Sequence, residues 1–286
     1  MINALSFDVE EYFHAEAFGR VVRREQWPGL ESRVVASTKL VLDILERSGT
    51  AATFFVLGWV AERHPALIRD IHARGHEVAC HGYGHDMITR LSPSEFAEDV
   101  RRAKAILEDT VGGSVIGYRA PTFSVVRETL WSLQILAETG FQYDSSIFPI
   151  VHDRYGIPDA TRFPHRVAVR PGVEIAEFPL STVGGFGWRV PVAGGGYFRI
   201  LPYAATCRAI RHVNNREGQP AIVYLHPWEL DLGQPRLPAG RLTRFRHTVN
   251  TRTTEAKLQR VISDFRFSPV CDVLRSSGLL VGKRAA

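Results

Sequence analysis

Short apolar segments alternate with amphipathic ones along the first half of the chain. The apolar segments have the length of buried strands and cover residues 2–7, 51–57, 76–80, 114–118 and 141–144. The segments between them are predicted to be helices and cover residues 33–47, 65–74, 92–111 and 127–139. The third helix starts with a capping box, because Ser92 is followed by Pro93 and Glu95. Strands and helices that alternate at this spacing predict a parallel sheet or barrel.

The second half of the chain is less regular. Residues 178–202 are rich in glycine and proline, and a helix over 203–216, a strand over 221–226 and a helix near 254–265 follow. We find no internal repeat and no low-complexity linker. We therefore expect one domain over residues 1–286, in three parts: βα units in 1–147, an irregular part of the barrel in 148–232, and a C-terminal extension in 233–286.

Composition narrows the class of protein. The chain has 286 residues, of which 45% are hydrophobic, so it can bury a large core. The net charge is +5 without a clustered basic run, which favours a solvated basic surface over a face for an anionic glycan or a membrane. Three cysteines without a CxxC motif indicate neither a disulfide framework nor a cysteine zinc site. No apolar run is long enough to span a bilayer, so we expect a cytoplasmic protein if residue 1 is the native start.

Polar residues of catalytic type follow four of the predicted strands. These residues lie in the segments Asp8–Glu11, His81–His85, Arg119–Phe123 and His226–Glu229. The carboxyl ends of parallel strands meet at one edge of a sheet or barrel, so the four segments are expected to form one site.

The first two segments have the composition of a metal site. Two imidazoles four residues apart, as in His81 and His85, can bind one metal, and a carboxylate completes a catalytic zinc pattern. Asp8 and Glu10 share a face of the first strand, so one can bind the metal while the other accepts a proton from water. The alternatives are surface histidines and a solvated acidic loop or helix cap.

The other two segments offer groups that could assist a hydrolysis. Arg119 suits a carboxylate, and Asp8 is its expected partner. Pro121 requires extended backbone before it, which could aim the amide N–H of Thr122 into the site. His226 could act as a general acid. The alternatives are a surface arginine and a core histidine bonded to a carbonyl group.

Taken together, these residues resemble the polysaccharide deacetylases of carbohydrate esterase family four, the NodB-like group. Asp8 and Glu10 resemble the aspartates of its first strand, and His81 and His85 match its His-x-x-x-His motif. Arg119 and Pro121 match its Arg-x-Pro motif, and Tyr224-Leu225-His226 is similar to its Leu-x-His motif. The segments SFDVEEYFH, GYRAPTFS, GGGYFRILP and YLHPWELD resemble the subgroup associated with exopolysaccharide gene clusters.

The resemblance implies a fold and a set of roles. The fold is an α/β structure, a distorted (β/α) barrel with about seven strands and an irregular C-terminal elaboration. The cofactor is a divalent metal, most often Zn²⁺, held by one acidic residue and the two histidines. The resemblance further implies that Asp8 is the general base and His226 the general acid. Arg119 would hold Asp8, and Asp144 would orient His226.

Two departures from the family pattern leave alternatives open. Val9 separates the two acidic positions that are adjacent in the family, so the metal carboxylate is Glu10 or, as the second choice, Glu11. Thr122 stands where the family has tyrosine, and its backbone N–H is sufficient for an oxyanion hole. The missing aromatic contact with the substrate could come from Phe123, Phe148 or Trp228.

The expected activity is the hydrolysis of N-acetyl groups from amino sugars of a polysaccharide or oligosaccharide in exopolysaccharide biosynthesis. The expected partner is an N-acetylated glycan rather than nucleic acid, and related enzymes without secretion signals can form homo-oligomers. Two other functions remain open. The same site could hydrolyse a small cyclic amide or ureide, or the chain could be a glycan-binding module with a decayed site.

Overall fold

The computed structural model describes residues 1–19, 21–185, 188–192 and 194–281. Its strands are β1 (Ile2–Val9), β2 (Thr53–Val56), β3 (Glu77–Cys80), β4 (Gly117–Tyr118), β5 (Tyr143–Asp144), β6 (His165–Arg170), β7 (Val173–Glu177), β8 (Thr182–Gly185), β9 (Trp188–Pro191), β10 (Ile222–Leu225) and β11 (Arg266–Ser268). Its helices are α1 (Val34–Ser48), α2 (Gly58–Arg63), α3 (Pro65–Ala73), α4 (Pro93–Val111), α5 (Trp131–Glu138), α6 (Gly195–Ile200), α7 (Tyr203–Asn215), α8 (Arg241–Thr248), α9 (Thr251–Asp264) and α10 (Val270–Ser276). Within these residues, no helix has both the length and the apolar character needed to cross a membrane.

A parallel sheet forms the centre of the fold. Seven parallel strands follow one another in the order β10-β1-β2-β3-β4-β5-β7, with β6 antiparallel to β7 and β11 beside the start of β1. Strand β1 is buried along its length after Ile2, as expected for a parallel strand covered on both faces. The predicted α/β architecture, a distorted barrel of about seven strands, is confirmed.

The barrel closes irregularly between β7 and β10. The Ser181 hydroxyl accepts a hydrogen bond from the N–H of Ile222 at 2.7 Å, and Gly194 forms an isolated parallel bridge with Tyr224. Gly194 has φ 153°, and a Cβ there would lie 1.8 Å from the Tyr224 carbonyl oxygen. Only glycine permits this close approach of the two backbones, because it has no side chain.

The predicted helices in the first half are confirmed as α1, α3, α4 and α5. The capping box of α4 is also confirmed, since Ser92 accepts from the N–H of Glu95 and donates its own N–H to the Glu95 carboxylate at 2.8 Å. Strands β4 and β5 contain two residues each and are shorter than predicted. The strands pair in register, so that Phe7 lies beside both Phe54 and Leu225 and Cys80 beside Tyr118. This register brings the polar segments after these strands to one edge of the barrel.

Candidate active site

Three of the predicted residues form a compact group of ligand atoms. Glu10, His81 and His85 each offer one ligand atom, and these atoms lie within 4.8 Å of one another. Nε2 of His85 is 2.8 Å from Oε2 of Glu10. The turn after β3 uses left-handed backbone at Gly82 (φ 75°) and His85 (φ 56°), which brings the second imidazole back beside the first.

Neighbouring groups hold two of these three side chains. Nδ1 of His81 donates to the Arg119 carbonyl oxygen at 2.8 Å, so Nε2 keeps a lone pair for a metal. The indole N–H of Trp228 donates to Oε1 of Glu10 at 3.1 Å. Hydrogen bonds from the protein therefore orient the carboxylate of Glu10 and the imidazole of His81.

The alternative ligand, Glu11, has a different role in the structure. Its carboxylate accepts the backbone N–H groups of Arg33 at 2.9 Å and Val34 at 3.2 Å, at the start of α1. Those N–H groups have no partner within the helix, and an anion at a helix N-terminus also interacts favourably with the helix dipole. The acidic residue beside the two histidines is therefore Glu10.

The charge states of the group suit a metal. Burial lowers the pKa of His81 to about 4, so its imidazole is neutral at neutral pH. Burial opposes ionisation of Glu10, but the hydrogen bond and the electrostatic interactions that its carboxylate makes with the neighbouring imidazoles, His85 first among them, outweigh burial and hold the pKa of Glu10 far below its usual range. A buried site with a carboxylate and imidazole nitrogens has the donor set of a catalytic zinc site.

Asp8 lies beside this group and is held by a buried arginine. Nη1 of Arg119 is 2.7 Å from Oδ1 of Asp8, and both side chains are almost fully buried. The same guanidinium donates to Ser6 Oγ at 3.0 Å and, through Nε, to the Ser145 carbonyl oxygen at 3.0 Å. The predicted contact between Arg119 and Asp8 is thus present, and the arginine fixes the position of the carboxylate.

His226 faces the two acidic residues of β1. Its Nε2 is 3.9 Å from Oδ2 of Asp8 and 3.6 Å from Oε1 of Glu10. Its Nδ1 is 2.7 Å from Oε1 of Glu229. Burial lowers the pKa of His226, but the hydrogen bond with Glu229 and the charges of the three carboxylates raise it to about 9, so the imidazole is protonated at neutral pH.

The predicted contact between Asp144 and His226 is wrong. The Asp144 carboxyl accepts from Ser146 Oγ at 2.5 Å and shares a hydrogen bond with Glu177, where burial raises the pKa of both acids. Glu229 takes the expected place instead, because it lies in the 3₁₀ turn Pro227–Leu230 directly after His226. There its carboxylate reaches back to both the backbone N–H of His226, at 3.0 Å, and the ring.

A second residue missed by the sequence analysis, Arg199 in α6, anchors Glu229. Its Nε lies 2.6 Å from Oε2 of Glu229, and both side chains are buried. The rest of the guanidinium donates to the carbonyl oxygens of Arg246, His247 and Val249, at the end of α8. Through Glu229, Arg199 therefore connects the end of α8 to His226, the histidine that faces the metal-ligand group.

An open cleft of about 890 Å³ lies beside the site, and two of the four predicted substrate residues, Thr122 and Trp228, line it. The metal-ligand group, Asp8 and His226 are not among its lining residues. Thr122 has left-handed backbone (φ 54°, ψ 25°) directly after Pro121, and Ala120 before them is extended as the proline requires. Such a conformation costs on the order of 1–3 kcal/mol and often marks a functional position.

The other two predicted substrate residues, Pro121 and Phe123, are buried and lie outside the lining of this cleft. The ring of Phe123 packs against Phe148, Tyr155 and Tyr224. The ring of Trp228, only 5% exposed, stacks with His226 and His247 and has little surface for a sugar. The aromatic contact expected from these residues is therefore not available in the structure.

One of the missed residues had a signal in the sequence and the other had none. The order His226-Pro227-Trp228-Glu229 is a capping-box pattern, with proline at the first helical position and an acid at the third. For Arg199, the sequence offers no sign that it would reach across to a residue 30 positions away.

Comparison with known proteins shows what the chain is similar to. A family model described as polysaccharide deacetylase matches residues 29–143, which are less than half of the chain. This stretch is therefore similar to polysaccharide deacetylases. A second model, described as a domain of unknown function (DUF3473), matches residues 145–275 of the chain. The region that matches the deacetylase model contains His81, His85 and Arg119, whereas Arg199, His226 and Glu229 lie in the second matched region.

Curated relatives of the chain carry related names. A chitooligosaccharide deacetylase of Bradyrhizobium sp. is 29% identical over 135 residues, which are 46% of this chain and 59% of the relative. A peptidoglycan deacetylase-like protein of Gibberella zeae is 32% identical over 109 residues, which are 37% of this chain and 31% of the relative. The chain thus spans less than two thirds of the length of these relatives.

Solved structures with the same fold cover nearly the whole chain. A candidate polysaccharide deacetylase from Mycobacterium smegmatis aligns with a TM-score of 0.64 and 22% identity, over 100% of this chain and 94% of that one. Puue allantoinase aligns with a TM-score of 0.62 and 16% identity, over 96% of this chain and 89% of that one. At these identities the two structures support the NodB-type barrel.

Proposed function

We propose that this protein is a metal-dependent hydrolase that removes N-acetyl groups from amino sugars of a polysaccharide or oligosaccharide. The observation that carries the proposal is the meeting of Glu10, His81 and His85 beside the pair formed by Asp8 and Arg119. A metal-ligand group with a free carboxylate next to it is what the hydrolysis of an unreactive amide requires.

The metal would be held by Glu10, His81 and His85, and Zn²⁺ suits two imidazoles and one carboxylate. When bound, a divalent ion supplies Lewis acidity that polarises the acetamide carbonyl and acidifies water. His81 is fixed by the Arg119 carbonyl group and Glu10 by the indole of Trp228, so the protein sets the orientation of the ligands.

Asp8 is the general base in this proposal. Its Oδ1 is committed to Arg119, and its Oδ2 remains free to accept a proton from the attacking water. The backbone N–H of Thr122, on the strained turn that lines the cleft, donates to the oxygen that becomes negatively charged during the attack.

His226 is the general acid, and Glu229 is its positioning residue. With a pKa of about 9, the imidazole carries a proton at neutral pH and can deliver it from Nε2 to the departing sugar amine. Glu229 holds Nδ1 and stabilises the positive charge, and Arg199 in turn holds Glu229. Because the acid comes from the second matched region, we also propose that residues 1–286 work as a single catalytic domain.

The substrate class follows from the cleft and the relatives. The relatives are named for chitooligosaccharide and for peptidoglycan, both of which contain N-acetylated amino sugars, and an open cleft of about 890 Å³ can admit a chain. A role in exopolysaccharide biosynthesis rests on the resemblance of four segments to that subgroup, residues 6–14, 117–124, 194–202 and 224–231.

Acetate release from N-acetylglucosamine oligomers tests this function. We expect release by the metal-loaded protein, loss of release with a chelator, and recovery when Zn²⁺ is added back. Ring opening of allantoin by the same protein preparation, without acetate release from any glycan, would favour the cyclic-ureide alternative. Absence of both activities in a protein that binds the oligomers would favour the decayed binding module.

A further inference from the structure

A second groove, of about 960 Å³, lies beside the cleft, and most of the charged side chains that line it are positive. We call it the arginine groove and define it by Arg236, Arg244 and Arg252, which are all exposed and line it from the loop before α8, from α8 itself and from the start of α9. Among the described residues that line it, Asp231 is the one acid, and it is already bound by Arg33 at 2.8 Å.

The three arginines of the groove are not neutralised by the protein. Within residues 1–19, 21–185, 188–192 and 194–281, Arg236, Arg244 and Arg252 form no ion pair. Asp231 is paired with Arg33, and Glu229 with Arg199 and His226. Three guanidinium groups around one concave surface repel one another and create a positive potential. An anion in the groove would relieve this repulsion.

The arginine groove and the cleft beside the active site share one lining residue, His247. Its ring stacks on Trp228 at 4.3 Å, whose indole N–H binds the proposed metal ligand Glu10. Helix α8 separates the two spaces, with Arg246 on the cleft and Arg244 on the groove. The groove therefore lies on the other side of α8 from the cleft, close enough for distant units of a long glycan to contact it.

The shape and the lining of the groove suit a sugar chain better than a flat ligand such as a membrane surface. The groove is concave, and beside the arginines it exposes Phe245 and Leu232, which are 61% and 66% accessible and can pack against the apolar faces of sugar rings. Guanidinium groups bind carboxylates through two parallel hydrogen bonds, so carboxylated sugars fit the charge and the donor geometry.

We propose that the arginine groove binds a carboxylate-bearing stretch of the glycan, so that the substrate is an anionic polymer in which uronic acids accompany the N-acetylated amino sugar. This inference rests on the proposed deacetylase function, and it adds that the glycan substrate carries negative charge. It predicts that the enzyme prefers an oligosaccharide of alternating glucuronic acid and N-acetylglucosamine over a neutral N-acetylglucosamine oligomer of equal length.

The first test compares a groove variant with a control variant of equal net charge. The groove variant replaces Arg236, Arg244 and Arg252 by glutamine. The control variant makes the same change at three exposed arginines on α3, α4 and α7: Arg69, Arg101 and Arg208. The measured quantity is the ratio of kcat/KM for the glucuronate-containing oligosaccharide to kcat/KM for the neutral oligomer.

The groove variant is expected to lose about eightfold in this ratio, because each exposed ion pair contributes roughly a factor of two. The control variant should keep the wild-type ratio. The wild-type preference should also vanish near 1 M salt, where the Debye length falls to about 3 Å. A wild-type enzyme without preference, or an equal loss in both variants, would overturn the proposal.

A second test measures binding without turnover, so that it does not depend on the deacetylase activity. Alginate carries carboxylates but no N-acetyl groups, and affinity electrophoresis in an alginate gel should retard the wild type and the control variant more than the groove variant. Equal mobility of the groove variant and the control would refute the groove even if acetate release is observed. Selective loss of binding to phosphatidylglycerol vesicles, with alginate binding retained, would assign the groove to a membrane surface instead.

Discussion

Replacing Glu229 by glutamine tests whether Glu229 supports His226 as the proton donor of the proposed reaction. Glutamine keeps the size of the side chain and an oxygen that can accept from Arg199, so the buried guanidinium is not left without its partner. What the variant loses is the negative charge 2.7 Å from Nδ1 of His226. The expected result is a slower step in which the sugar amine departs, with the fold retained.

The size of the effect follows from the pKa of His226. The shift from 6.5 to about 9 corresponds to about 3 kcal/mol in favour of the imidazolium. Three carboxylates share this effect, and Glu229 is the nearest, at 2.7 Å against 3.6 Å for Glu10 and 3.9 Å for Asp8. We therefore expect the pKa of His226 to fall by at least about one unit in the variant. Above pH 9, kcat for the acetamide should then fall at least about tenfold, because about tenfold fewer imidazoles carry the proton.

The assay compares two leaving groups. An amine must be protonated as it departs, whereas nitrophenolate leaves without a proton, so hydrolysis of nitrophenyl acetate should change by less than about threefold in the Glu229→Gln variant. The high-pH limb of kcat for the acetamide should lie near pH 9 in the wild type, because activity is lost as His226 deprotonates, and at lower pH in the variant. Glu98→Gln, at an exposed position of α4, is the matched control.

Two results would refute this reasoning. An equal loss on the amide and the ester would show that Glu229 maintains the structure of the site rather than the acid. An unchanged amide rate would show that His226 does not depend on this partner. Partial recovery with Glu229→Asp, which restores the charge at a longer distance, would support the assigned role.

Three further predictions test the rest of the site and the closure of the barrel. Asp8→Asn should lower kcat for acetate release at least about 100-fold while the protein keeps stoichiometric metal by elemental analysis, and loss of the metal would contradict the assignment of Asp8 as base. Glu10→Gln should lose that metal, and with it the thermal stabilisation of about 2.7 kcal/mol expected at a Zn²⁺ concentration 100 times Kd. Gly194→Ala should destabilise the protein by about 1–3 kcal/mol in urea unfolding because its Cβ would meet the backbone of Tyr224, whereas Gly196→Ala, with open space around it, should not.

Much of the fold could be predicted from the sequence because its signals are local. The capping box at Ser92, the glycine ends of helices and the apolar runs of the first half each act within a few residues, and the order of strands and helices then implies a parallel sheet. Strands β6 to β9 lie in the irregular part, where short paired segments have no clear period, and the sequence analysis missed them.

The sequence also indicated which segments would meet, but not which atom would contact which. The carboxyl ends of parallel strands converge, so Asp8, His81, Arg119 and His226 were expected at one edge for a topological reason. Choosing between Glu10 and Glu11 depended on the start of α1, more than twenty residues away, whose N–H groups bind Glu11.

What the sequence by itself determined is therefore the α/β barrel, the residue types of the site and the edge at which they gather. Tertiary structure alone decided that Arg199 supports Glu229, that Phe123 is buried, and that exposed arginines line a groove next to the cleft. The physical reason is that side chains compete for partners across the fold. Burial and distance decide that competition, and neither is encoded in the spacing of residues along the chain.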